Sequence, residues 1–86
     1  MSAKVEMYTK MFCPYCIRAK SLLESKGVDI IDIPASGNKE KRAEMNQRAH
    51  GRNTFPQIFI NGDHVGGCDD LMALERAGKL DPMLAG

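Results

Sequence analysis

Cysteine is scarce in this chain of 86 residues: there are three. That number is too small and too odd for a disulfide framework, because Cys13 and Cys16 are local to each other and Cys68 stands alone. No apolar run approaches the roughly 20 residues needed to cross a bilayer, and the start Met1-Ser2-Ala3-Lys4-Val5-Glu6 lacks the apolar centre of a signal peptide. A cytoplasmic protein with no membrane partner is expected. Charge of one sign is lacking too. Twelve Lys and Arg stand against eleven Asp and Glu, a net charge of +1, which gives no field to draw nucleic acid or an anionic lipid surface. Repeats, linkers and low-complexity tracts are missing, and the length leaves room for a single domain over residues 1–86 with a modest core.

What is present reads as alternating strands and helices. Lys4 to Thr9 mixes apolar and polar neighbours with β-branched and aromatic residues, the pattern of a half-buried strand. It runs into Cys13-Pro14-Tyr15-Cys16, and from Pro14 onward Ala19, Leu22 and Leu23 fall at helical spacing until Gly27 stops the helix. Proline suits the first helical position, where its missing N–H has no partner to lose. Val28 to Ile33, closed by Pro34, predicts a second strand parallel to the first, which makes a right-handed βαβ unit. Lys39 to Ala49 predicts a largely solvated helix with a weak apolar side at Ala43 and from Met45 to Ala49. Gln57 to Ile60, the turn Asn61-Gly62 and His64-Val65 predict an antiparallel hairpin. A last helix runs from Cys68 to Ala77, with Asp69 and Asp70 in its first turn and Gly78 beyond its end. The predicted order is β-α-β-α-β-β-α, an α/β fold.

In a reducing compartment a close cysteine pair is catalytic or metal-binding. A disulfide exchanger needs one thiol that ionises near neutral pH and a second within reach, since the thiolate attacks and the neighbour displaces the mixed disulfide that results. With Cys13 at a helix N-cap, unpaired N–H groups and the helix dipole favour its thiolate, lowering a thiol pKa of about 8.5 into a range of roughly 3.5–7.5. Cys16, one turn in, is expected to be less ionised and less exposed. Lys10 could add positive charge beside the thiolate or hold an anionic substrate. The other use of C-x-x-C is half a zinc site, which wants a second close pair of ligands. His50, His64 and Cys68 are scattered and form no such pair, so no metal site is expected.

Four segments together resemble the glutaredoxin family, in particular its short bacterial dithiol members: Tyr8-Thr9-Lys10, Cys13-Pro14-Tyr15-Cys16, Thr54 to Ile60, and Gly66-Gly67-Cys68-Asp69-Asp70-Leu71. The resemblance implies a thioredoxin-like fold, a four-stranded mixed sheet flanked by three helices. It implies glutathione-dependent reduction of protein disulfides and glutathione mixed disulfides, with Cys13 as nucleophile and Cys16 as resolving thiol. It also implies a cis bond before Pro56, although only about 5–6% of X–Pro bonds are cis.

The same resemblance implies a glutathione site. The backbone of Phe55, between Thr54 and Pro56, would pair with the cysteinyl part of the tripeptide as an added strand pairs with an edge. Gly67, Cys68, Asp69 and Asp70 would hold the γ-glutamyl end through helix N–H donors and a carboxylate, helix capping being the alternative for the two aspartates. Lys10, helped by Arg48, would face the glycine carboxylate, and Tyr15 would stack beside the mixed disulfide. Cys68 would be a contact or a small buried filler, without a catalytic part. Phe12 and Phe55 are apolar where this family more often has smaller or polar residues, which bears on substrate preference. Glutathione is then a co-substrate, and no tightly bound cofactor is expected. Disulfide-bearing or glutathionylated proteins are the implied partners, ribonucleotide reductase among the candidates, for a monomeric enzyme. Two other readings remain: a thioredoxin-like donor recharged by a flavoprotein, which needs no glutathione site, and an iron–sulfur carrier, against which Pro14 speaks.

Overall fold

The computed structural model describes residues 3–85; Met1 and Ser2, part of the start read above, lie outside the described residues. The elements are β1 (Val5–Thr9), α1 (Pro14–Ser25), β2 (Ile30–Pro34), α2 (Lys39–Arg48), β3 (Gln57–Ile60), β4 (Asp63–Gly66), α3 (Cys68–Arg76) and α4 (Leu80–Ala85). One sheet carries the strands in the order β2-β1-β3-β4. β1 runs parallel to β2, with Met7 opposite Asp32, and antiparallel to β3, with Met7 opposite Ile58. The hairpin turn has positive φ at both Asn61 (52°) and Gly62 (85°), the type I′ geometry that Asn-Gly favours.

Because side chains alternate across a strand, the sheet buries two separate sets. Val5, Met7, Ile58 and Ile60 face a core completed by Ala19 and Leu23 of α1, Leu71 of α3 and Leu80 and Leu84 of α4. Tyr8 and Phe59 face the other way, against Met45 and Ala49. Their rings meet edge-on at 5.7 Å.

Two expectations need correction. β1 is a central strand covered on both faces, so Val5, Met7, Tyr8 and Thr9 are all buried and only Glu6 keeps partial access. A half-buried strand would have left alternate residues in water. The second concerns the helix count, since α4 follows the three that were expected. Pro82 reads as a breaker, yet it falls in the first turn of α4, where a missing N–H costs nothing. Leu80 and Leu84, four apart, then bury one face, and Lys26 at the end of α1 ties α3 to α4 through Glu75 (2.8 Å) and Asp81 (2.9 Å).

Candidate active site

β1 ends at Thr9, a short loop follows, and α1 starts at Pro14 with Cys13 as its N-cap (φ −109°, ψ 100°). Pro14 sets the first helical φ without wasting a donor. The Cys13 Sγ accepts the backbone N–H of Cys16 at 3.1 Å, which places this sulfur at the positive end of the helix. Cys13 and Cys16 are joined as a disulfide, with Cα atoms 5.2 Å apart. The two are equally withdrawn from solvent, 3% and 5% exposed, contrary to the expectation that Cys16 would be the less exposed. Bonded sulfurs cover each other, so the difference in access expected of free thiols does not arise in this form.

The Phe55–Pro56 bond is cis, as the resemblance implied. Phe55 and Thr54 line two adjoining hollows together with Tyr15, which is 55% exposed. One, about 130 Å³, is completed by Arg52, Gly67, Cys68, Asp69 and Asp70. The other, about 560 Å³, is completed by Lys10, Ser36, Arg42 and Asn53. The result is a groove with cations at both ends and carboxylates at one. It suits an extended ligand with an anionic group at each end and an ammonium beside one of them.

The two aspartates differ. Asp70 reaches back to accept the N–H of Gly67 at 2.9 Å and an Arg52 N–H at 3.0 Å, so the capping alternative holds for it. The Gly67 N–H, then the Arg52 guanidinium, keeps the Asp70 carboxyl below its ordinary value. Asp69 lies on the same hollow and makes no ion pair among the described residues. Cys68 is buried at the first position of α3, and burial pushes its thiol up, away from ionisation. It is both a core residue and part of the groove wall.

Arg48 does not belong to the groove. It bridges to Glu6 at 2.9 Å, donates to the Tyr8 hydroxyl at 2.8 Å and lies 4.1 Å from the centre of the Phe59 ring. Glu6 is three residues before Thr9, about 10 Å back along β1 at 3.3 Å per residue. An arginine at the C-terminal end of α2 therefore meets the wrong end of the strand. Arg42, six residues nearer the N-terminus of α2, lines the groove instead. It lies three residues before the inward-facing Met45 and Arg48 lies three after it, so helical spacing alone puts both arginines on that side. Arg52 and Asn53 were also missed, although they directly precede Thr54.

Arg48→Ala is expected to leave the half-buried Glu6 carboxylate without its side-chain partner, while the Tyr8 hydroxyl still donates to Glu44, and to destabilise the fold by about 1–3 kcal/mol. Denaturant unfolding measures this, and the KM for a glutathionylated substrate stays unchanged. The same pair shapes acid stability. The Arg48 hydrogen bond holds Glu6 below its ordinary value, and Asp70 is lowered as well. Groups with depressed folded values contribute fully above their unfolded values and lose that contribution as pH falls through the folded ones. Stability from these two carboxylates is therefore expected to be level down to about pH 5 and to fall below about pH 4, less steeply in Glu6→Gln.

A further cavity of about 160 Å³ lies beside the disulfide, with Thr9, Lys20 and Asp32 in its wall. Thr9 donates to Asp32 at 2.6 Å and Lys20 pairs with it at 3.4 Å. His50 and His64 are not gathered near the cysteines: His64 bonds Gln57 at 2.7 Å and stacks on Phe59.

Comparison with known proteins decides the family. The glutaredoxin family model matches residues 5–65. The chain belongs to the glutaredoxin family. It is 60% identical over 82 residues to glutaredoxin 3 of Escherichia coli, covering 95% of this chain and 98% of that protein. It is 59% identical over 81 residues to a glutaredoxin of Pseudomonas aeruginosa, covering 94% and 95%. Among solved structures, the glutaredoxin of Brucella melitensis superposes with a TM-score of 0.81 at 60% identity, covering 94% of this chain and 87% of that one. A buckwheat glutaredoxin–glutathione complex gives 0.86 at 36% identity, covering 98% and 78%. This glutaredoxin is thus a glutathione-dependent disulfide oxidoreductase of the dithiol kind on a thioredoxin-like fold. No helix among its described residues is long and apolar enough to cross a membrane.

Proposed function

We propose that Cys13 is the nucleophile and Cys16 the resolving thiol, acting in the cytosol on disulfide-bearing and glutathionylated proteins. The observation that carries this is the Cys16 N–H aimed at the Cys13 Sγ at the N-cap of α1. In the reduced protein the Cys13 thiolate attacks a substrate disulfide, and one substrate sulfur leaves as a thiolate and takes up a proton. With a glutathionylated protein, glutathione stays on Cys13 and a second glutathione thiolate releases it as oxidised glutathione. With a protein disulfide, the Cys16 thiol loses its proton and attacks the Cys13 sulfur, which frees the substrate and leaves the disulfide seen here.

Glutathione fits the groove by charge. Lys10 and Arg42 face its glycine carboxylate, and the Phe55 backbone pairs with its cysteinyl unit. The N–H groups at the start of α3, together with Arg52, take the γ-glutamyl carboxylate, and Asp69 takes the adjacent ammonium. Arg48 has no part. Mass spectrometry of Cys16→Ser incubated with oxidised glutathione tests the assignment: one glutathione on Cys13 is expected. An adduct on Cys68 instead, or none, contradicts it.

A further inference from the structure

Large apolar side chains in water are concentrated around the redox motif. Five of the described residues qualify, and four of them fall between positions 11 and 17: Met11 (74% exposed), Phe12 (93%), Tyr15 (55%) and Ile17 (68%). Phe12 is the extreme case. Its backbone is left-handed, with φ 55°, a conformation that bulky residues seldom adopt, and its ring projects into solvent next to Cys13. Tyr15 already serves the glutathione groove; Met11, Phe12 and Ile17 do not.

This apolar face continues along α1 as an open hollow of about 640 Å³ walled by Pro14, Ile17, Leu22 and Arg18. Its charge has one sign. From Lys10 to Leu23 the chain carries Lys10, Arg18 and Lys20 and no acidic residue. The one carboxylate in the cavity that adjoins it, Asp32, is held by Thr9 and Lys20. Arg18 stands 5.9 Å from the centre of the Tyr15 ring, at the boundary between this face and the groove.

We propose that this face docks the polypeptide around the oxidised cysteine of a protein substrate, and that it selects segments with an apolar side chain beside that cysteine and acidic residues beyond it. The apolar residue covers Phe12 and Ile17, and the acidic ones meet Arg18, since Lys10 faces the glutathione carboxylate in the groove. The inference rests on Cys13 being the nucleophile, because that places the substrate cysteine at the centre of the face.

Two short peptides, each with one glutathionylated cysteine, test it: one flanked by leucine and glutamate, the other by serine and lysine. Turnover is followed with glutathione and its reductase, alongside hydroxyethyl disulfide, which is too small to reach the face. The leucine–glutamate peptide is expected to react with a kcat/KM about tenfold higher, carried by KM and reduced by salt. Phe12→Ser with Ile17→Ser is expected to erase that advantage and leave hydroxyethyl disulfide turnover unchanged. Arg18→Glu is expected to shift preference towards the lysine peptide. Equal rates on the two peptides would overturn the proposal while leaving the assignment of Cys13 intact. So would a dimer of the unaltered protein that Phe12→Ser dissolves, since a second copy would then be the occupant. An equal loss on all three substrates in the double variant would also count against it.

Discussion

Cys13→Ser is expected to reduce turnover of a glutathionylated substrate by at least about a thousandfold, because a serine hydroxyl is not ionised near neutral pH and the helix end has no thiolate to stabilise. Cys16→Ser is expected to keep that reaction within a few-fold of normal, since glutathione itself resolves the intermediate on Cys13. On a protein with an internal disulfide the same variant is expected to stall as a covalent complex. The contrast comes from geometry. Cys13 sits outside the first turn and receives an amide N–H, whereas Cys16 donates one. Steady-state assays of both variants on both substrate types read the difference. Full activity of Cys13→Ser on the glutathionylated substrate would contradict the assignment.

Gly66→Ala is expected to have the next largest effect. The residue closes β4 with φ 117°, a region open to glycine and strained for alanine. A methyl group there would also stand 2.7 Å from Nη1 of Arg52 and 2.8 Å from Cγ of Asp70, so the pair at the γ-glutamyl end of the groove has to move. A loss of about 1–3 kcal/mol in unfolding free energy is expected from the backbone, with the KM for a glutathionylated substrate raised about tenfold. Gly37→Ala separates the two effects, since φ is 79° there and the space around it is open. It is expected to lose stability with no change in KM. An unchanged KM in Gly66→Ala would remove the Arg52–Asp70 pair from the substrate site.

Much of this was legible in the residues themselves. Period-two alternation, Pro14 and Gly27 at the ends of a helix and Asn61-Gly62 in a turn are local signals, and they yield the order of the first seven elements directly. Cys13 and its helix end are local too, separated by no more than three positions. The errors lie where the deciding contact is distant in sequence. Arg48 and Arg42 are both arginines of one helix, and only the pairing of α2 with the far end of β1 sends Arg48 to Glu6, 42 residues away. β1 looked half-buried because Glu6 interrupts it, yet that polar residue is satisfied by the same distant arginine. α4 is short and contains a proline, and what stabilises it is burial of Leu80 and Leu84 on a core built by earlier elements. The cis bond before Pro56 and the glutathione groove came from family resemblance, since neither composition nor periodicity encodes them.

The chemistry turns on how readily the Cys13 sulfur gives up its proton. With Cys16 and Cys68 replaced by serine, the thiolate absorbance of the remaining cysteine, followed across the pH range in the reduced protein, gives that value directly. A midpoint within roughly 3.5–7.5 is predicted for a thiol at a helix N-terminus, and a midpoint near the ordinary value of about 8.5 would contradict it.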